Sequence, residues 1–298
     1  MSGVIVGIET GGEHIVVGTA RLDAPFALTS RWECKTASPE DTMKMIGEHI
    51  RTIDNIRAVG IAAFGPLDIE KGLVTSTPKL EWTNTPIVEM LREYLPEGVQ
   101  IAMDTDVNAA ALAEWNARDG KVKNLAYITV GTGVGAGVIV ENQEVHGMLH
   151  PEVGHLFVAP APGDTFQGTC PYHKTCIEGM AASRALAGRF DVVRENLSSV
   201  RDDNPQWAFV AHYLASACAA LILTVSPQII VFGGGILKRK ILFPMIHKML
   251  MQQLAGYISI PQVTDPEMIK RYIVPAALGD NSGVLGAILI ADRALKAA

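Results

Sequence analysis

A chain of 298 residues, 48% hydrophobic and 19% charged, is long enough for two ordinary domains and can bury a sizeable core, which excludes disorder on a large scale. A formal charge of -6, with no Lys/Arg-rich run, excludes a field that would draw in nucleic acid. The longest nearly uninterrupted apolar run, residues 214 to 225, falls short of the ~20 residues a membrane span needs and reads as a buried helix.

The N-terminal residues Met1 to Val6 lack the basic flank and cleavage site of a signal peptide and read as a first strand. With four cysteines, Cys34, Cys170, Cys176 and Cys218, no disulfide framework is expected, and the expected location is cytoplasmic.

In chain order, residues 4–9 and 14–20 are β-rich runs separated by Gly11 and Gly12, the sequence form of a tight hairpin. Helical patterns follow at about 40–54 and 86–95, with a strand at 57–63 between them. A short strand at 100–103 runs into Asp104, Thr105 and Asp106 and then an Ala-rich helix at about 107–118. The plan of strand, glycine turn and strand then recurs: 126–130 and 136–140 flank Gly131, Thr132, Gly133, Val134 and Gly135, a weak internal duplication.

An irregular Gly- and Pro-containing stretch occupies 151–175, long for a structureless loop and therefore functional or stapled. Helices at about 177–190 and 207–225 lead to an all-apolar strand, Ile229 to Phe232, which opens through Gly233, Gly234 and Gly235 into another helix. A strand at 272–275 and a helix from about 282 close the chain. Such alternation predicts α/β layers. The expected division is an N-terminal lobe, 1–113, with the last helix 282–298 packing back on it, and a C-terminal lobe, 114–281.

Glycines at a turn let successive backbone N–H groups face one concavity and admit an anion close to the main chain. Neither glycine hairpin continues as a P-loop or opens into a helix like a dinucleotide fingerprint, so each alone is either a phosphate cradle or an ordinary turn. The third cluster, Gly233 to Gly235, either faces a nucleotide or serves close strand-to-helix packing. Asp106, between a strand and a helix, is an N-cap or a carboxylate able to take a proton from an attacking hydroxyl.

The most specific signal lies in the long loop. Cys170, His173 and Cys176 are spaced by three, and His155 precedes them, which makes either a complete Cys2His2 tetrahedral zinc set or buried free cysteines with an incidental histidine. With no position left open, such a metal is structural and ties down the loop at 150–178. His146 and His150 are nearby spares.

Glu152, Gly154 and His155, followed by the Cys170, His173, Cys176 and Glu178 cluster, with Asp106, Asn108, Ala109 to Ala111, Leu112 and Glu114 upstream, resemble the ROK family of bacterial sugar kinases. The resemblance covers essentially the whole chain. Within it, residues 64–68, 75–79, 104–108 and 275–284 look like the fructokinase branch; many ROK glucokinases have Asn in place of Thr105 and a third Cys in place of His173.

The resemblance implies a two-lobed actin-like ATPase (ribonuclease H-like) fold with an ATP and sugar cleft between the lobes. The activity implied is ATP-dependent phosphorylation of D-fructose to fructose 6-phosphate, with other hexoses (mannose, glucose) or a catalytically weak sugar-binding protein as alternatives. Asp106 would be the general base on the 6-hydroxyl, while Thr105, Glu152, His155 and Glu178 line the sugar pocket and His155 also binds zinc. Gly11, Gly12, Thr132 and Gly133 would contact the phosphates, Gly233, Gly234 and Gly235 would approach the adenosine, and Glu9 would help position hydrated Mg²⁺. A homodimer is implied, and neither nucleic acid nor membrane is an expected partner.

One departure stands out. The family usually reads Gly-Gly-Thr-Lys at the first hairpin, where this chain has Gly11, Gly12, Glu13 and His14. A carboxylate about 4 Å from a phosphate oxygen is repelled by a few kcal/mol at an effective dielectric near 20. Glu13 therefore cannot simply replace the threonine hydroxyl.

Overall fold

The computed structural model describes residues 3–77 and 79–297. Met1 and Ser2 of the expected leading strand, Pro78 of the motif at 75–79 and Ala298 of the expected last helix lie outside the described residues. The chain forms two compact units: Met1–Asp119 with Glu144–His150 and Leu278–Ala298, and Gly120–Gln143 with Pro151–Ala277.

The first unit begins with the hairpin of β1 (Val4–Thr10) and β2 (His14–Arg21), Glu9 facing Val16 across it. β3 (Ala24–Lys35) extends the sheet beyond β2, a strand the sequence pattern does not announce, because most of its residues are exposed or only partly buried. α1 (Pro39–Ile50) starts at Ser38, whose hydroxyl accepts from the Asp41 amide, with Pro39 in the first turn where a missing N–H costs nothing. β4 (Ile56–Ala63) lies parallel to β1, a two-stranded ribbon of β5 (Leu67–Asp68) and β6 (Leu73–Val74) follows, and then α2 (Ile87–Arg92). β7 (Gln100–Thr105) lies parallel to β4 and runs straight into α3 (Asp106–Asn116), giving the sheet order β3-β2-β1-β4-β7.

Strand alternation sorts the side chains of this sheet. Val6, Ile8, Val59 and Ile61 pack with Met43, Ile46 and Ile50 of α1, Ile87 and Leu91 of α2, and the fully buried Trp82. Ile5, Ala20 and Ala58 are in the cluster of the other face.

The second unit repeats the plan. β8 (Leu125–Val130) and β9 (Val134–Val140) form the second glycine hairpin, with β10 (Gln143–Glu144) at its edge. The helix expected over 177–190 is two, α4 (Ile177–Ala181) and α5 (Ser183–Phe190), because Ala182 between them is extended, with ψ 166°. α6 (Trp207–Val225) is 19 residues long and, by length and composition alone, apolar enough to cross a membrane, yet Trp207, Tyr213, Leu214 and Cys218 on it are fully enclosed. It is a core helix.

β11 (Ile229–Gly233) lies parallel to β8, followed by α7 (Leu242–Leu254), two single-turn helices α8 (Pro261–Thr264) and α9 (Ile269–Tyr272), and β12 (Ile273–Pro275) parallel to β11. The order β10-β9-β8-β11-β12 matches that of the first sheet.

α10 (Ser282–Ala297) belongs to the first unit, where it covers the second face of β1 and β4 and packs along α3. That approach is close enough to require missing side chains: a Cβ on Gly60 would stand 1.8 Å from the Ala287 carbonyl oxygen, and one on Gly286 1.8 Å from that of Ala109. Buried Glu114 joins the same elements, accepting from the Leu278 amide at 2.9 Å and the Ser282 hydroxyl at 3.1 Å. Gly286→Val is expected to force α10 off α3 and lower stability by about 3 kcal/mol or more, measured as a fall in the urea midpoint of unfolding. An unchanged midpoint would show that the contact yields freely.

Candidate active site

In the first sheet, β1, β4 and β7 run in the same direction, and the register sets Thr10 beside Ala63 and Ala63 beside Thr105. Glu9, the first glycine turn and Asp104 to Asp106 therefore gather at the carboxyl ends of parallel strands, the usual place for a ligand in an α/β sheet.

The turn at Gly11 and Gly12 is braced from two directions. Gly11 donates to the His14 carbonyl at 3.0 Å, while Thr36, just past β3, donates its amide to the Glu13 carbonyl at 3.0 Å and its hydroxyl to the Gly11 carbonyl at 2.9 Å. Lys79 donates to the Gly12 carbonyl.

Glu9 points at the first turn of α10, where a Cβ on Gly283 would fall 2.2 Å from its carboxyl carbon. Its Oε2 is buried with no hydrogen-bond partner. Burial, then the charge of Asp106, pushes the carboxyl up to about 7, against the pull of Arg31 and the Val284 amide.

Capping of α3 falls to Thr105, whose hydroxyl accepts from the Asn108 amide at 3.0 Å. Asp106 is the first helical residue, its carboxylate accepting from the Val107 amide at 2.9 Å. Burial pushes the Asp106 carboxyl up to about 6, with Asp104 adding to the rise and backbone amides opposing it. It remains mostly ionised at neutral pH.

Beside it is a polar cluster that the sequence does not reveal. Asp104 accepts from the Asn108 side-chain amide at 3.0 Å and lies 3.0 Å from His146 Nε2. The hydrogen bond to Asp104 holds the His146 pKa above its usual value. His150 is buried, and its Nε2 accepts from the Leu67 amide at 3.1 Å. Both histidines thus belong to the first unit, apart from the Cys2His2 set.

In the second sheet, β8 and β11 run in the same direction with Thr129 beside Gly233, so the turn at 131–135 and the Gly233, Gly234, Gly235 cluster share one edge. Gly233 and Gly234 have no room for side chains: a Cβ would meet the Tyr127 hydroxyl at 1.9 Å and the Val130 carbonyl at 2.4 Å respectively, and Gly234 has φ 84°. The cluster leads into a 3-10 turn, Gly235–Lys238, before α7.

Gly131 donates to the Gly133 carbonyl at 2.9 Å, Thr132 is exposed, and the Glu178 carboxylate accepts from the Val134 amide at 3.1 Å. Glu178 thus lies against the second glycine turn. Glu152 precedes the 3-10 turn Val153–His155, which packs so closely on β9 that a Cβ on Gly154 would meet the Val134 carbonyl at 1.8 Å.

His155, Cys170, His173 and Cys176 converge, their ligand atoms all within 4.8 Å of one another. A tetrahedral zinc with Zn–S near 2.3 Å and Zn–N near 2.05 Å requires N···N of about 3.4 Å and S···N of about 3.6 Å. The His155 and His173 Nδ1 atoms are 3.4 Å apart, Cys176 Sγ is 3.6 Å from His155 Nδ1, and Cys170 Sγ is 3.8 and 3.9 Å from the two histidines. The donor set fits the ion in type, number and spacing.

The long loop has a second anchor. The Arg189 guanidinium, fully enclosed, grips Asp164 through two hydrogen bonds of 2.9 and 2.7 Å, and the Tyr213 hydroxyl donates to the same carboxylate at 2.7 Å. Burial alone would raise the Asp164 carboxyl, but these donors hold it below the usual range. Neither partner shows in sequence, since 25 and 49 residues separate them from Asp164.

Two like sheets, each with a glycine hairpin at the carboxyl edge of its parallel strands, define a protein of the actin-like ATPase fold. Residues 5–294 match the model of the ROK family, and the chain belongs to that family. It is 36% identical over 295 residues to a fructokinase of Pediococcus pentosaceus, covering 97% of this chain and 98% of that one. It is 33% identical over 303 residues to a fructokinase of Streptococcus mutans, covering 98% and 99%. Among solved structures, the ROK hexokinase of Thermus thermophilus superposes with a TM-score of 0.77 at 26% identity, covering 99% of this chain and all of that one.

A carboxyl raised on folding contributes stability below its unfolded pKa, near 4.5, and that stability is lost as pH rises through the folded value. Without nucleotide, the protein is therefore expected to lose stability between about pH 4.5 and 7. Glu9→Gln should remove much of that slope and raise stability at pH 7.5 by roughly 1–3 kcal/mol. Parallel stability curves for the two proteins would rule out a raised Glu9.

Proposed function

We propose that the chain transfers the γ-phosphoryl group of ATP to the 6-hydroxyl of D-fructose, with Asp106 accepting the hydroxyl proton. The observation that carries this reading is the Asp106 carboxyl, buried at the start of α3 on the same sheet edge as the first glycine turn, with a pKa pushed up to about 6. Such a group is a stronger base than a solvated aspartate yet is ionised at pH 7. The two fructokinases that match nearly end to end support fructose over another hexose.

In this reading the 6-oxygen forms a bond to phosphorus as the bond from phosphorus to the β-phosphate oxygen breaks, and ADP leaves. Catalysis comes chiefly from position and charge. The amides of both glycine turns hold phosphate oxygens, with Gly11, Gly12, Thr132 and Gly133 as the contact residues, and Gly233, Gly234 and Gly235 lie against the adenosine. Thr105, Glu152, His155 and Glu178 contact the sugar. Mg²⁺ bound with ATP would neutralise phosphate charge, and the unpartnered Glu9 Oε2 suits a water of its hydration shell. One Zn²⁺ on His155, Cys170, His173 and Cys176 fills a closed set and is structural. Cysteines in no disulfide fit a reducing cytoplasm.

A coupled assay for ADP over fructose, mannose and glucose should give the highest kcat/KM with fructose. Sugar binding with no ADP release would instead mark a protein that has lost turnover. Asp106→Asn should lower kcat by about 10³-fold while leaving fructose binding in place. The log of wild-type kcat/KM should fall with unit slope below about pH 6, because protonation removes the base. Near-normal turnover in the variant would dismiss Asp106 from the role. Metal analysis should find one zinc per chain, and its removal by a strong chelator should lower the thermal midpoint; purified protein free of zinc would refute the assignment.

A further inference from the structure

The first glycine turn carries Glu13 and His14 after its two glycines, so a carboxylate follows the amides that would hold phosphate and no lysine does. The fold brings a lysine there from elsewhere in the chain. Lys79 Nζ donates to the Gly12 carbonyl at 2.5 Å and stands 4.6 Å from the centre of the Phe64 ring. We propose that Lys79 is a phosphate-contacting residue of this turn, its ammonium offsetting the Glu13 carboxylate and meeting the γ-phosphoryl group of the nucleotide. The proposal rests on the kinase reading above.

The position is built into the core. The Lys79 carbonyl accepts from the Trp82 amide at 2.8 Å, opening the 3-10 turn Leu80–Trp82, and the Lys79 amide donates to the Thr77 hydroxyl at 3.3 Å. Trp82 is fully buried, and its Nε1 donates to the Ala37 carbonyl at 3.3 Å. The Phe64 ring that flanks the ammonium meets Trp82 edge to face, with centroids 5.2 Å apart. The backbone of the lysine is thus tied to buried Trp82 and its ammonium to the Gly12 carbonyl and the Phe64 ring.

An ammonium has three donors, and the Gly12 carbonyl takes one, leaving the others for an anion. Its site is partly desolvated: burial draws the Lys79 pKa down, while the carboxylates of Glu81 and Glu13 oppose that. A cation in such a place interacts more strongly with an arriving phosphate than one in water. Its charge makes good the lysine absent after Gly12 and answers the repulsion from Glu13. The ammonium keeps its protons throughout: the hydroxyl proton passes to Asp106, and the developing charge on the transferring oxygens is met by Lys79 without proton transfer.

The test is steady-state kinetics of Lys79→Met, Lys79→Arg and the double variant Glu13→Gln/Lys79→Met, with thermal unfolding to confirm that each is folded. Lys79→Met should lose about 10²- to 10³-fold in kcat with fructose KM within threefold. Lys79→Arg should recover at least tenfold of that loss. The double variant should turn over faster than Lys79→Met alone, because the uncompensated carboxylate is gone.

In direct binding, the Met variant should lose affinity for a non-hydrolysable ATP analogue and keep that for ADP. A rise in fructose KM at unchanged kcat would overturn the proposal by making Lys79 a sugar contact, and unchanged kinetics in a folded Lys79→Met protein would reduce it to packing. The unmutated chain is assayed first: absence of ADP release with every hexose defeats the kinase reading itself, whereas a normal wild-type rate beside an unaffected variant defeats only the role of Lys79.

Discussion

Concentrated negative charge at one sheet edge is the constraint around which the first unit is arranged. Glu9, Asp104 and Asp106 lie at the ends of β1 and β7, close enough for Asp106 to raise Glu9 and for Asp104 to raise Asp106. Carboxylates so placed repel one another and any phosphate. The chain answers with helix N-termini, the Val107 amide of α3 for Asp106 and the Val284 amide of α10 for Glu9, and with the imidazole of His146 for Asp104. None of these is a full charge in contact with Glu9 or Asp106. Both therefore keep raised pKa values, at a cost to stability when they ionise.

The second unit meets a different demand, which is to order a long loop. Gly154 presses against β9 and Glu178 holds the turn at Val134, so the segments before and after the loop are pinned to the same hairpin. Between them the Cys2His2 set gathers the loop at one point and the Arg189, Asp164 and Tyr213 network at another. A buried pair such as Arg189 with Asp164 gives little net stability, but removing either partner strands a charge, so the network specifies one path for the chain.

Much of this was legible in the sequence because it is local. Both glycine hairpins and the metal set lie within short stretches whose chemistry is carried by residue type and spacing, and buried strands such as Ile229 to Phe232 announce themselves by composition. β3 is not legible in the sequence, because an edge strand with no fully buried residue has no apolar period to read. Sequence offers Asp106 as a cap of α3 where Thr105 does the capping, since two adjacent side chains of similar capping propensity differ only in backbone geometry. The pairing of Asp104 with His146 depends on a return of the chain 42 residues later, and that of Lys79 with Gly12 on a separation of 67 residues. Such contacts are made by topology, which no spacing rule reports.

The position of α10 in the chain has a further consequence. The helix that covers β1 and β4 is synthesised after the whole second unit, so on the ribosome the first sheet waits, with the face of Ile5 and Ala58 uncovered, until the last turn of α10 has emerged. The first unit is therefore finished after the second although it begins first. Until then the apolar face of β1 and β4 has no helix to bury it, the kind of surface that makes incompletely folded chains prone to associate.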